Sequence, residues 1–262
     1  VGARDDTEYG AAVGTLHVYA RDAGGWGNWG QIQRVVGQDS VAADYFGAAV
    51  AMDGDSVVVG MHGDDPQGES SGTTRLLTWS GNRWYFEQKL IHVNPDIPPL
   101  GDQYGASVSV KGDRLAAGVS HRRASAVHDK QSTVLVYERS QPGGVQPWRL
   151  QKELYGWLSC HTSHGNTYCH NDGFGMAVGL DAEQLVVGAP QDGEHWRGMT
   201  HFYERNEGGA GTWGRVGRAN QHTRHEREYV GNNLAADGFA AILGSYSENE
   251  AVEGSGGNAH LY

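Results

Sequence analysis

Hydrophobic and polar positions along the chain follow one short pattern that recurs. The stretch from Asp44 to Gly60, DYFGAAVAMDGDSVVVG, contains two short apolar runs separated by Asp53-Gly54-Asp55. β-Branched residues on either side of an Asp-Gly pair predict a β-hairpin, because glycine readily supplies the positive φ of a tight turn. Similar stretches run from Asp102 to Gly118, from Asp172 to Gly188 and from Glu228 to Gly244. The chain is therefore predicted to be a repeat protein.

A glycine closes each copy of the hairpin and sets the length of the repeat. These glycines are separated by 58, 58, 70 and 56 residues, and they are Gly2, Gly60, Gly118, Gly188 and Gly244. A nearly constant period of this size is typical of propellers and solenoids, in which each period is one supersecondary unit.

Two further strands are predicted after each hairpin. The third strand alternates apolar with other residues at a period of two, at 14–20, 73–79, 132–138, 199–204 and 258–262. A tryptophan opens the fourth strand and is predicted to pack between neighbouring sheets; these residues are Trp29, Trp84, Trp148 and Trp213. Four antiparallel strands per period describe a propeller blade, whereas a helical solenoid needs long amphipathic stretches that the sequence lacks.

The predicted fold is all-β, a β-propeller of four-stranded antiparallel blades. About five repeats are visible, three complete and two partial, in a single domain over 1–262. They cover about 1–43, 44–101, 102–171, 172–227 and 228–262. The first repeat starts within its hairpin and the last stops at its third strand. We therefore expect the sequence to be an excerpt of a longer propeller, because a propeller closes to protect its edge strands.

The hairpin residues resemble the FG-GAP repeat of the integrin α-subunit propeller. Phe46-Gly47 and Phe174-Gly175 match the Phe-Gly pair, and Gly188-Ala189-Pro190 matches the second half of the motif. Tyr104-Gly105 and Val230-Gly231 look like drifted copies. The tryptophan of the fourth strand makes the chain similar to the secreted bacterial and algal subtype. The resemblance implies an extracellular or cell-surface protein.

Integrin-type repeats often bind calcium in a D-x-D-x-D-G loop between the first two strands. The corresponding turns here include Asp53-Gly54-Asp55 and Lys111-Gly112-Asp113. Such turns are too short to supply the roughly six to eight oxygen ligands of calcium. We therefore expect no cofactor, and calcium of that kind is not predicted. The acidic loops after the second strand leave two readings open, loop capping or a different calcium site; they contain Asp5, Asp6, Asp64, Asp65 and Asp192.

Charge excludes several classes of partner. The formal net charge is −11, from 31 acidic and 20 basic residues. This balance argues against nucleic acids and anionic membrane surfaces, which clustered Lys and Arg recognise. No apolar run approaches the ~18 residues of a transmembrane helix.

Two cysteines lie in the longest connection, between the third and fourth repeats. Cys160 and Cys169 have eight residues between them. A disulfide that closes such a loop is predicted, with a stabilisation of roughly 2.5–3 kcal/mol in the chain-entropy model. The alternative is a zinc site, since His161, His164 and His170 lie in the same segment.

The remaining candidates concern ligands. Trp26, Trp157 and Trp196 fall outside the repeat pattern, and an aromatic residue on a loop can contact a sugar or a protein. Trp157 and Trp196 are the predicted ligand-contact residues. No catalytic residues are predicted, because the sequence contains neither a G-x-S-x-G nor an H-E-x-x-H motif.

Three functions remain in order of preference. The first is a non-catalytic extracellular binding or adhesion module that presents loops to a protein or glycan. The second is a structural subunit of a surface layer or extracellular filament, whose partners are further copies of itself. The least favoured is a hydrolase domain that uses the central cavity of the propeller.

Overall fold

A computed structural model describes residues 1–93, 101–120, 132–140, 147–163, 166–193, 197–220, 229–237, 240–245 and 258–261. These residues form strands, turns and loops and contain no helix, so the all-β prediction is confirmed. The chain divides into two compact units, Val1–Val108 and Ser109–Tyr262.

The first two sheets lie in the first unit. The first sheet has three strands, β1 (Gly2–Ala3), β2 (Thr15–Arg21) and β3 (Trp29–Val35). The second sheet has four, β4 (Ala49–Asp53), β5 (Ser56–Met61), β6 (Thr73–Trp79) and β7 (Trp84–Leu90).

The third sheet begins at the border between the units and consists of β8 (Tyr104–Lys111), β9 (Arg114–Val119), β10 (Thr133–Arg139) and β11 (Trp148–Tyr155). A separate hairpin of β12 (Leu158–Ser163) and β13 (Asn166–Asn171) follows; we call it the inserted hairpin. The fourth sheet contains β14 (Ala177–Leu180), β15 (Gln184–Ala189), β16 (Met199–Glu204) and β17 (Gly214–Ala219). The fifth contains β18 (Asn233–Asp237), β19 (Ala240–Ser245) and β20 (Asn258–Leu261).

Within each sheet the strands follow one another in chain order, and neighbouring strands pair antiparallel. The four-stranded antiparallel sheets predicted from the sequence are therefore present. The turn of the β4–β5 hairpin is as tight as predicted, because Asp53 pairs with Ser56 and Gly54 has a φ of 53°. The arrangement of the sheets in a closed propeller stays a prediction.

Neighbouring sheets pack face to face within each unit. In the first unit, Leu16 and Val35 of the first sheet share a buried cluster with Val57, Leu77 and Trp84 of the second. In the second unit, a cluster joins the third and fourth sheets, with Val134, Leu154, Val187, Tyr203 and Trp213 among its members. A further cluster joins β15 to the fifth sheet.

The glycines that set the repeat length lie where backbones of adjacent sheets touch. A Cβ atom on Gly60 would lie 1.9 Å from the carbonyl oxygen of Gly105, and one on Gly188 would lie 1.9 Å from that of Gly231. Gly105 and Gly231 are the glycines of the Tyr104-Gly105 and Val230-Gly231 pairs, each of which belongs to the next repeat. The two glycines of the motif recur because they face each other across a sheet-to-sheet contact that leaves no room for a side chain.

Each outer strand carries a β-bulge at the same place. The register between the third and fourth strands shifts at Val18/Tyr19, Leu76/Leu77, Val136/Tyr137 and Phe202/Tyr203. A bulge places two residues opposite one and therefore changes which residues of the outer strand share a face.

The tryptophans that open the fourth strands differ in burial. Trp84, Trp148 and Trp213 are buried, and Trp84 and Trp213 pack between adjacent sheets as predicted. The same prediction for Trp29 was wrong, because 68% of its surface is exposed. Trp29 lies on a face of the first sheet that is open to solvent.

Candidate functional site

A loop aspartate is held by a threonine and a basic residue in the first sheet. Asp6 accepts hydrogen bonds from the Thr15 hydroxyl at 2.7 Å and from Arg34 Nη2 at 2.7 Å. The Glu8 N–H, the Thr15 hydroxyl and the Arg34 guanidinium lower the pKa of Asp6 to about 2. These contacts support loop capping, the first of the two alternatives for the acidic loops.

The second sheet repeats this arrangement. Asp64 accepts a hydrogen bond from the Thr73 hydroxyl at 2.7 Å and forms an ion pair with Lys89 at 2.8 Å. Arg34 and Lys89 occupy equivalent places, since each lies opposite the third residue of its third strand, at His17 and Arg75.

The fourth sheet departs from this pattern. Met199 replaces the threonine, and Asp192 Oδ2 lies 3.6 Å from His201 Nε2. His201 is 1% exposed, and neither of its ring nitrogens forms a hydrogen bond with a described residue. Arg218 lies opposite His201, in the place of Arg34 and Lys89, and within the described part of the chain it forms no ion pair.

A second departure lies three residues earlier on β17. Arg215 is exposed and lies opposite Tyr203. At the equivalent place the other three outer strands carry uncharged residues, Gln31, Phe86 and Leu150. Tyr203 itself is buried, and burial raises the pKa of its phenol to about 12. A guanidinium that forms no ion pair with any described residue therefore lies where the other three outer strands have no charge.

Trp157 lies beside this arginine. The guanidinium carbon of Arg215 is 5.7 Å from the centroid of the Trp157 ring, a cation–π distance. Trp157 remains 57% exposed, so part of its ring is available to a ligand. Trp157, Arg215 and Arg218 together are called the arginine–tryptophan face below.

Asp172 holds the backbone of Trp157 in place through a hydrogen bond. Its carboxylate is fully buried and accepts hydrogen bonds from the N–H groups of Trp157 at 2.6 Å and Phe174 at 2.9 Å. These bonds join the two ends of the segment that contains the inserted hairpin. Burial raises the pKa of Asp172 to about 6, although the two N–H donors act in the opposite direction.

The raised pKa of Asp172 predicts a pH-dependent stability. The protonated form is favoured in the folded protein, so this contribution is complete below about pH 3.8 and is lost as the pH rises through about 6. We expect the free energy of unfolding to fall by roughly 3 kcal/mol across this window through Asp172. Urea unfolding at a series of pH values measures it, and Asp172→Asn should flatten the slope.

The matched control is Asp237→Asn, at an exposed carboxylate on β18. This control should keep the pH dependence of the wild type. An unchanged slope in Asp172→Asn would show that another group titrates in this range.

The connection between β11 and β14 was expected to be a loop, and it contains the inserted hairpin instead. Its strands lack an apolar face of period two, so the pattern gave no signal for them. Cys160 lies directly opposite Cys169 in the backbone register. Opposed residues of an antiparallel pair have Cα atoms about 4.5–5.5 Å apart, within the range of a disulfide. The side chains of this hairpin lie outside the described part, and the bridge stays a prediction.

Intact mass spectrometry tests the predicted Cys160–Cys169 bridge. The protein should gain about 2 Da on reduction and react with a thiol alkylating agent only afterwards. Alkylation of the unfolded but unreduced protein at both cysteines would disprove the bridge.

The predicted zinc ligands are not brought together by any described contact. His161 and His170 lie on the inserted hairpin at positions opposite Tyr168 and Ser159, and His164 and Trp196 lie outside the described residues. In the backbone register, neither 161 nor 170 is paired with 160 or 169. Among the described residues, no group of three His, Cys, Asp or Glu is placed to hold a metal ion.

An acidic groove of about 530 Å³ lies at the turns of the fourth sheet, and its lining includes Asp181, Glu183, Glu204 and Arg205. Arg205 bridges Glu138 at 2.9 Å and Glu183 at 3.8 Å, and Arg114 lies 3.4 Å from Glu183. Two of the four charges in this network come from the third sheet and two from the fourth. Their pairing indicates a contact between sheets rather than a binding site.

Sequence reasoning missed Arg215, Arg218 and Asp172. The two arginines could have been found by aligning the fourth strands with one another, where Arg215 replaces uncharged residues. Asp172 carries no such signal, because Asp44 and Asp102 occupy the same place in their repeats and are also buried.

Residues 29–74 match the family model described as the FG-GAP repeat. The match runs from the start of β3 through Phe46-Gly47 and the β4–β5 hairpin into β6. No curated protein matches the chain significantly. FG-GAP repeats occur mainly in extracellular or cell-surface proteins and are generally non-enzymatic.

Proposed function

Because the chain carries an FG-GAP repeat, we propose that it is a non-catalytic, extracellular or cell-surface binding module. It presents loops and strand edges to a glycan or protein ligand. The integrin-like subtype, in which such modules serve adhesion, is part of this proposal.

The observation that carries the proposal is the arginine–tryptophan face. Trp157 is 57% exposed and lies beside Arg215. At the place of Arg215 the other outer strands carry Gln31, Phe86 and Leu150. Arg215 breaks the pattern of the repeats at an exposed position, and such departures are expected at functional sites. Exposed tryptophan and arginine are also the side chains most enriched at binding hot spots.

The net charge agrees with this proposal. The net charge of −11 disfavours nucleic acid and anionic membranes as ligands. Among the described residues, no helix is long and apolar enough to span a membrane.

Binding is tested with the full chain on a glycan array and in pull-downs from the extracellular fraction of its source. Trp157→Ala should lower the binding of the ligand so identified by roughly tenfold or more, the usual cost of a hot-spot tryptophan. The matched control is Trp26→Ala, since Trp26 is 96% exposed but lies in a turn of the first sheet. Equal losses in both variants would refute the assignment to Trp157, and consistent absence of binding would refute the module.

A second candidate is a structural subunit that assembles with further copies of itself. The observation that favours it is exposed apolar surface on the fifth sheet, where Ile242 is 51% and Leu261 is 73% exposed. Large exposed apolar residues on one face mark association surfaces. Sedimentation velocity distinguishes the two candidates, because concentration-dependent polymers support the subunit and a dispersed monomer contradicts it.

A further inference from the structure

We propose that the arginine–tryptophan face binds a carboxylated sugar, such as a uronate residue of an acidic glycan. This inference rests on the proposed binding function and gives its ligand a chemical class. Trp157 is expected to stack on the sugar ring, and Arg215 and Arg218 to pair with carboxylates.

The β-bulge of β17 brings the two arginines to the same face. Tyr203 lies opposite Arg215 and His201 lies opposite Arg218. Tyr203 and His201 are two residues apart on β16 and therefore share a face. The register shift at Phe202/Tyr203 absorbs the additional residue, so Arg215 and Arg218 lie on that face too, although they are three apart in sequence.

Both guanidinium groups are free to bind an anion. Arg215 and Arg218 are exposed, and within the described part of the chain neither forms an ion pair or hydrogen bond. The equivalent basic residues are occupied, since Arg34 binds Asp6 and Lys89 binds Asp64. The fourth sheet retains the aspartate, as Asp192, but its Oδ2 faces buried His201 at 3.6 Å.

The exposed indole favours a sugar over an acidic peptide. An acidic peptide needs the arginines alone, whereas the apolar face of a pyranose ring needs a flat aromatic surface beside them. Trp157 offers such a surface on a fixed backbone, because its N–H is held by the buried carboxylate of Asp172 at 2.6 Å. A fixed backbone reduces the conformational entropy that is lost when a ligand binds.

The net charge of −11 does not prevent local recognition of an anion. At physiological ionic strength the Debye length is about 8 Å, so distant carboxylates are largely screened from this face. Arginine pairs with a carboxylate through two parallel N–H···O bonds, a geometry that suits the planar carboxylate of a uronate. Long polyanions should bind less well than short oligosaccharides, because they extend over the acidic remainder of the surface.

The experiment measures binding of the full chain to galacturonate, glucuronate and mannuronate oligosaccharides, each beside its methyl ester. The ester keeps the sugar ring and linkage and removes the charge. At least one acid should bind roughly tenfold more tightly than its ester, and this preference should weaken as salt is raised. Arg215→Gln and Arg218→Gln should each remove most of the preference, and Trp157→Ala should weaken acid and ester together.

The matched control is Arg149→Gln, which removes an exposed positive charge from β11 in the same unit. It should leave the affinity within about twofold of the wild type. Circular dichroism of each variant establishes that it is folded.

The possible outcomes separate this inference from the function on which it rests. Equal binding of acids and esters, or full retention of the preference in both arginine variants, overturns the carboxylate inference and leaves a glycan-binding module. Binding of polyglutamate that survives Trp157→Ala, without uronate binding, replaces the sugar by an acidic peptide. If no uronate binds but a neutral glycan or a protein ligand is found on the array or in the pull-down, the inference is overturned. The proposed binding function is then retained.

Discussion

Replacing Trp213 with alanine is expected to lower the free energy of unfolding by about 3–5 kcal/mol. Trp213 is 1% exposed and belongs to the buried cluster that joins the third and fourth sheets, together with Leu154 and Tyr203. Its removal leaves a cavity between two sheets that cannot both move inward, so lost burial and an unfilled space add to the cost. Urea unfolding of the full chain followed by far-UV circular dichroism measures the change.

The chain offers its own control for this prediction. Trp29 occupies the same place in its repeat as Trp213 but is 68% exposed. Trp29→Ala should therefore change the free energy of unfolding by no more than about 0.5 kcal/mol. If the two variants are equally destabilised, burial between sheets is not what distinguishes these residues.

Replacing Gly188 with alanine is the second change with a large expected effect, a loss of about 3 kcal/mol or more. The new Cβ atom would lie 1.9 Å from the carbonyl oxygen of Gly231, so the fourth and fifth sheets must separate at this point. The neighbouring parallel bridge between Gly198 and Val230 would be strained as well. Hydrogen exchange at the Val230 amide, which donates to the Arg197 carbonyl at 3.1 Å, should become faster.

Gly217→Ala serves as the comparison for Gly188→Ala. The nearest atoms to a Cβ on Gly217 belong to the Phe202 side chain, at 3.9 and 4.0 Å, which is ordinary van der Waals contact. This variant should lie within about 1 kcal/mol of the wild type. A loss as large as that of Gly188→Ala would mean that any alanine in this sheet disturbs it, and that the contact between glycines is not the cause.

Most of the strands could be predicted from the sequence because the same alternating pattern recurs in each repeat. The third strands at Thr73–Trp79 and Met199–Glu204 have the predicted bounds, and the outer strands begin at or next to the predicted tryptophans. Repetition turns a weak local preference into a strong one. The inserted hairpin occurs once and has no alternating apolar face, and for that reason it was expected to be a loop.

The candidate site could be predicted in part. Trp157 was singled out because it falls outside the repeat, and it does lie exposed beside Arg215. The arginines were missed because exposed basic residues on a strand are common, and their meaning depends on which neighbours are absent. In the second sheet Lys89 binds Asp64, whereas Arg218 at the equivalent place forms no ion pair within the described part of the chain.

By itself the sequence determined the all-β class, the four-stranded repeat and the positions of its tight turns, because alternation and turn chemistry act over a few residues. The tertiary structure decided three things that act between distant residues. It placed the recurring glycines of adjacent repeats in contact, it left Trp29 exposed while Trp213 is buried, and it brought Trp157 to Arg215 from the connection that follows the third sheet. Such contacts depend on how sheets pack and where a bulge shifts the register, and neither is encoded in a local pattern.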